Sequence, residues 1–190
     1  MKVEVYQKFN KLTWIGWLKV GILENMPNEK RIIICVVSQS DQSWIENFYL
    51  ERWGSNRVVS RGVMHDITQL PGFIAWRSGS RVGLLTYQIV KKEFEIVTLD
   101  SLEEKTGIGT ALISNAVDCA RKSSCKRVWL ITTNDNIPVL HFYQKRGFHL
   151  VVVHRNALAR SRLLKPEIPD TGLFGIPLRD EIELEILLNP

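Results

Sequence analysis

Residues 95–112 read Glu-Ile-Val-Thr-Leu-Asp-Ser-Leu-Glu-Glu-Lys-Thr-Gly-Ile-Gly-Thr-Ala-Leu. A strand-like run leads into a turn carrying Gly107 and Gly109, and that turn opens a helical pattern. The first amides of a helix lack intrahelical partners and sit at the positive end of its dipole, which suits a phosphate. Glycines let the backbone approach an anion with no Cβ in between, so a side chain at Gly109 is expected to meet that phosphate. A G-x-G turn alone serves tight strand–helix packing as readily. A second stretch, residues 134–148, reads Asn-Asp-Asn-Ile-Pro-Val-Leu-His-Phe-Tyr-Gln-Lys-Arg-Gly-Phe. Neither stretch suggests a metal. His65, His141, His149 and His154 have no zinc-binding spacing, and Cys35, Cys119 and Cys125 form no CxxC and read as reduced thiols.

The elements that position these stretches follow from periodicity. Residues 31–37 read as a strand, and residues 44–53 as a helix with capping-box spacing at Ser43 and Glu46 and a stop at Gly54. Residues 55–66 form a basic, loop-like stretch containing Arg57, Arg61 and His65. Strands over 73–77, 82–90 and 94–99 are separated by Ser78-Gly79-Ser80 and Lys91-Lys92, an antiparallel meander. Ile108, Ala111, Leu112, Ala116, Val117 and Ala120 then make one apolar helical face. A strand at 128–132, a helix from Pro138 to about Arg146, a strand at 148–153 and a short helix at 155–165 follow. A proline-rich loop leads to a strand at 181–188, where Glu181, Glu183 and Glu185 are expected on a wet face. Trp76 and Trp129 read as core and His141 as surface. The order describes one mixed α/β sheet over residues 31–190.

Residues 1–30 read as an N-terminal extension, with a weak amphipathic helix over 14–23 and Met26 as a candidate start. The 190 residues are 45% apolar and 24% charged, enough for one self-supporting core and too apolar for a disordered chain. No apolar run approaches the roughly 20 residues that span a bilayer, and no signal-peptide cleavage pattern is present, so a cytoplasmic protein is expected. The net charge of +5 is spread without any Lys/Arg run longer than two, which argues against a nucleic-acid partner.

Taken together, the two glycine- and tyrosine-bearing stretches resemble the GCN5-related N-acetyltransferase (GNAT) family. Its members carry a strand, a Q/R-x-x-G-x-G/A turn opening a helix, and another strand. An Asn then stands seven residues before a Tyr that precedes Gly-Phe. Gly107 and Gly109 match the glycines, Asn136 the Asn, Tyr143 the Tyr, and Gly147-Phe148 the final pair. There are departures. Glu104 stands where Gln or Arg is usual, Val139 replaces a small residue, and the linker from the Glu95 strand to Gly107 is short.

The resemblance implies a mixed α+β domain, its central sheet mostly antiparallel with two splayed parallel strands, flanked by helices. It implies acetyl-CoA as co-substrate, with no metal. The pantetheine arm would lie along backbone groups of Leu99 and Ser101 and on Asn136. The pyrophosphate would meet Lys105, Thr106, Gly107, Ile108, Gly109 and Thr110. Acetyl transfer requires a neutral amine and an acid for the leaving thiolate. Tyr143 is the expected acid; Glu95 is the expected base, with Glu93 second, both placed on one strand face with Val97 and Leu99. Arg57 and Arg61 suggest an acceptor with a carboxylate or phosphate near its amine. The expected partner is a small-molecule or peptide amine, with no membrane, and the reading leaves room for a homodimer. The alternatives are a non-catalytic acyl-CoA-binding module of the same fold and a Rossmann-type nucleotide domain. Leu112 stands where the latter needs its last glycine.

Overall fold

The structure, a computed structural model, describes Glu4–Tyr6 and residues 31–188. The helix expected at 14–23 and the candidate start at Met26 lie outside the described residues. Ten strands and four α-helices are described. They are β1 (Glu4–Tyr6), β2 (Ile33–Val36), α1 (Gln42–Trp53), β3 (Arg57–Ser60), β4 (Val63–Asp66), β5 (Gly72–Arg77) and β6 (Ser80–Val90). Next come β7 (Glu93–Ser101), α2 (Ile108–Lys122), β8 (Arg127–Thr133), α3 (Ile137–Gln144), β9 (His149–His154), α4 (Ala157–Leu164) and β10 (Glu181–Leu187). Eight strands form one sheet in the order β1-β2-β5-β6-β7-β8-β10-β9, and β3 and β4 form a separate hairpin.

The expected meander is present: β5, β6 and β7 pair antiparallel in succession. Helix α2 lays Ile108, Ala111, Leu112, Ala116, Val117 and Ala120 against one face of the sheet, all of them buried. Helix α1 covers the other face with Ile45, Phe48 and Tyr49. Two local expectations are corrected. The capping box lies at Ser38 and Asp41 rather than Ser43 and Glu46, because a 3-10 turn precedes α1 and carries the chain in one turn earlier. The basic stretch expected as a loop is the β3–β4 hairpin, closed at Arg61-Gly62 and packed back on the sheet.

The strand that carries the site is β7. Thr86 pairs with Thr98 and Tyr87 with Ile96, so Val97 is one residue too many for its neighbour. Such a bulge re-aims the side chains beyond it. Glu95 and Val97 stay on the α1 face, whereas Leu99 packs with the α2 cluster, so the four residues do not share a face as expected. The parallel pairing of β7 with β8 covers only residues 93–96 and 127–130. Beyond it, β7 continues on β6 to Ser101 and β8 on β10 to Thr133, so a gap opens between the two strands.

Gly107 caps α2 with φ +88, a backbone conformation that favours glycine. Gly109 is different. A Cβ there would come within 2.9 Å of Phe142 Cζ and 3.6 Å of Leu99 Cδ2, so the space beside it belongs to helix packing rather than to a phosphate. Phe142 cannot retreat easily, because the Arg146 guanidinium lies 3.5 Å from its ring centroid. Gly109→Val is therefore expected to destabilise the fold by roughly 1–3 kcal/mol, as overpacking does. A melting temperature equal to the parent's would contradict this packing role.

The wet face expected for β10 is also corrected. Strand β10 is internal, between β8 and β9, and Glu181 and Glu183 are only 2% and 3% exposed. Cations and donors cover them. Arg127 bonds Glu183 and Glu185 at 2.8 Å each, and His154 Nε2 lies 3.0 Å from Glu183. Burial alone would raise the Glu183 carboxyl; its bonds to His154 and Arg127 hold it below its ordinary value.

Candidate active site

A cavity of about 360 Å³ sits over the mouth of the β7–β8 gap on the α1 face. Ile96 and Val97 line it from β7, and Ile131, Thr132 and Thr133 from β8. Asn136, Ser60 and Glu181 also face it. Asn136 stands at the N-cap of α3, where Pro138 near the helix start fixes the turn, and its side chain makes no capping bond. A second cavity of about 490 Å³ adjoins, lined by Arg61, His65, Gln88, Glu93, Glu95 and Trp129. Ser60 lines both cavities.

Glu95, 3% exposed, opens on the second cavity rather than the first. The Ser60 hydroxyl donates to its Oε1 at 2.6 Å, and the Gln88 amide donates to its Oε2. Ser60 thus links the Glu95 carboxylate to the space over the gap. Glu93 is engaged elsewhere, in a 2.8 Å bond from Arg127.

Tyr143 projects from α3 into the α2-side cluster, between Phe142 and Phe148 at ring separations of 5.2 and 5.1 Å. Burial, and then the Asp100 carboxylate, push its hydroxyl well above the ordinary phenol value, so it is protonated at neutral pH. No described residue hydrogen-bonds it. Asp100, on β7 beyond the bulge, accepts from Arg52 Nε at 3.3 Å and Trp53 Nε1 at 3.2 Å through Oδ1 alone. Its Oδ2 is buried without a partner among the described residues. Burial pushes this carboxyl up, against the Trp53 and Arg52 contacts.

The amides of Ile108, Gly109 and Thr110 open the N-terminus of the 15-residue α2. The loop before it is tied down by the Ser101 and Thr106 hydroxyls, which donate to the Glu103 carbonyl at 2.7 and 3.0 Å. Lys105 and Glu104 are exposed on that loop. Arg146 reaches across from the end of α3 and donates to Thr110 Oγ1 at 2.9 and 2.6 Å, which fixes a guanidinium beside these amides.

The remaining sequence candidates fall outside the cavity over the gap. Arg57 is exposed on β3 and does not line it. Arg61 lies 5.3 Å from the Trp129 ring centroid and 3.7 Å from Glu183, so its guanidinium belongs to the second cavity. His65 is buried on β4 rather than held in a loop, and it lines the same cavity. Sequence reasoning missed Ser60, Asp100, Arg146 and Glu181. Arg146 carried a usable signal, one helical turn past Tyr143.

The Acetyltransferase (GNAT) family pattern matches residues 41–148. The uncharacterized protein YdhI of Bacillus subtilis is 40% identical over 152 residues, which cover 80% of this chain and 95% of that protein. Among solved structures, an IAA acetyltransferase from Bacillus cereus is similar in fold, with a TM-score of 0.65 and 23% identity over 83% of this chain and 99% of that one. A Bacillus subtilis acetyltransferase in complex with CoA gives 0.61 and 21%, over 84% and 100% of the two chains. The bulged strand, the gap beside it, and the pattern match over more than half of the sequence converge on one assignment: the chain belongs to the GNAT acetyltransferase family.

Proposed function

We propose that this protein transfers the acetyl group of acetyl-CoA to an amine by direct attack, with Tyr143 as general acid and Glu95 as base. The observation that carries this reading is the β7–β8 gap, which opens between the α2 N-terminus and the cavity holding Asn136. Residues 98–101 pair with β6 on one side and have no strand partner on the side of the gap, as an extended pantetheine arm requires. Asp100 Oδ2, a buried acceptor with no donor, is the kind of group that an amide N–H of that arm satisfies. The solved Bacillus subtilis acetyltransferase of similar fold holds CoA.

In the transfer, the amine nitrogen attacks the thioester carbonyl carbon and the carbon–sulfur bond breaks. The leaving sulfur takes the Tyr143 proton. The ammonium's extra proton first passes to the Ser60 hydroxyl as the Ser60 proton passes to Glu95, a relay that the 2.6 Å contact allows, and the second proton, lost from nitrogen as the amide forms, returns to the Tyr143 oxygen. Arg146 supplies the cation that Glu104 does not, beside the amides that would hold the pyrophosphate.

Two measurements test the binding half. In a thermal-shift panel of acetyl-CoA, CoA, NAD and ATP, acetyl-CoA and CoA are expected to stabilise the protein and NAD and ATP are not; stabilisation by NAD alone would favour a nucleotide domain. Arg146→Gln is expected to weaken acetyl-CoA by about tenfold or more, the worth of a charge-assisted contact, and increasingly so at low salt. An unchanged calorimetric Kd would remove Arg146 from the site.

A further inference from the structure

The lining of the cavity over the gap is selective in charge. Its charged side chains are Asp135, Lys165 and Glu181. All three already make hydrogen bonds, and those of Glu181 are the longest. Asp135 accepts from the Thr133 hydroxyl and from the Leu173 amide at 2.7 Å, and Lys165 donates to the Arg57 carbonyl at 2.8 Å. Glu181 accepts only two long contacts, from Ser161 Oγ and the Arg61 amide, each 3.2 Å. A carboxylate has about four lone-pair sites, so it retains acceptor capacity. Most of the other walls are apolar, among them Val58, Ile131, Leu158, Ile168 and Leu178. The volume of about 360 Å³ is near the lower end for small-molecule sites.

Arg61, the residue that would favour an anionic acceptor, is turned away onto Trp129 and Glu183. An acceptor carboxylate or phosphate would meet two carboxylates against a single ammonium, one of whose three donors is already held by the Arg57 carbonyl. A polycation would have to bury further charges against apolar walls, where the other carboxylate, Asp135, already accepts from the Thr133 hydroxyl and the Leu173 amide.

Resting on the acetyl-transfer reading above, we propose that the acceptor is a compact amine with an apolar body and a single positive charge, its ammonium anchored on Glu181. The anchor holds the nitrogen in the cavity that Ser60 also lines, where the relay to Glu95 takes its proton. Glu181 thereby sets acceptor affinity, whereas Glu95 sets the rate.

The test measures acetyl-CoA binding by calorimetry, then turnover of phenethylamine, O-phosphoethanolamine and spermidine at saturating acetyl-CoA. Phenethylamine is expected to have the highest kcat/KM of the three. Glu181→Gln should raise its KM by about tenfold or more while the acetyl-CoA Kd holds, and Glu181→Asp, which keeps the charge, should recover part of the loss. Preference for O-phosphoethanolamine or spermidine overturns the proposal. So does an unchanged phenethylamine KM in a folded Glu181→Gln protein, or acetyl-CoA binding with no turnover of phenethylamine. If acetyl-CoA does not bind at all, the transfer reading itself falls, and this proposal with it.

Discussion

Tyr143→Phe is expected to lower kcat by roughly a hundredfold to ten-thousandfold, the usual worth of a general acid, with little change in acetyl-CoA Kd or melting temperature. The stability expectation follows from the packing. The ring fills space between Phe142 and Phe148, and phenylalanine keeps it; the hydroxyl makes no hydrogen bond to a described residue, so its loss leaves no partner stranded. The kinetic expectation follows from when the hydroxyl acts. Its proton is needed only as the carbon–sulfur bond breaks, so the loss falls on the transition state rather than on the ground state. A phenol pushed up by burial is a reluctant acid in the ground state, but a thiolate forming in the same buried space is disfavoured for the same reason. An acyl donor whose leaving thiol has a lower pKa should therefore narrow the gap between Tyr143→Phe and the parent. Near-parental kcat with the natural donor would remove Tyr143 from the chemistry. A collapsed melting temperature would instead make the hydroxyl structural.

Glu95→Gln should cost a comparable factor near neutral pH, and the deficit should shrink as pH rises. The sign follows from the acceptor: an alkylamine with a pKa near 10 is almost wholly protonated at pH 7, and the fraction needing no base grows roughly tenfold per pH unit below that value. Glutamine keeps the Ser60 contact and the shape of the site while removing proton acceptance. A purely structural Glu95 would give a deficit flat across about pH 6 to 10, because lost packing does not depend on the protonation of the amine. Measuring kcat/KM over that range with parent and Glu95→Gln proteins separates the two roles.

The parts of the fold legible in the sequence were those governed by strong local rules. The α2 face was written in the spacing of Ile108, Ala111, Leu112, Ala116 and Ala120, and the meander in its paired turn residues. What escaped depended on tertiary position. Alternation in β10 was visible, but whether Glu181 and Glu183 face water depends on β10 lying between β8 and β9 under the cover of Arg61, Arg127 and His154. The face of Leu99 was misplaced because strand alternation assumes an unbroken ladder, and the bulge at Val97 breaks it. Likewise, the motif identified Gly109 but not what lies beside it, since Phe142 arrives from another helix. Glu95 and Tyr143 came into view through the family resemblance. Ser60 and Arg146, which lend Glu95 its path and the α2 N-terminus its charge, are brought into place only by the folded chain.

Acetyl-CoA is expected to be consumed only as an amine is acetylated. The most direct test incubates the protein with acetyl-CoA and phenethylamine, follows free thiol, and identifies the amine product by mass spectrometry. Thiol is expected to appear in equal amount with N-acetylated amine, far above the rate without amine, and Tyr143→Phe is expected to slow both together. Acetyl-CoA that binds tightly yet releases no thiol beyond the amine-free background, across phenethylamine and a broader set of primary amines, would contradict it and leave an acyl-CoA-binding module in place of an enzyme.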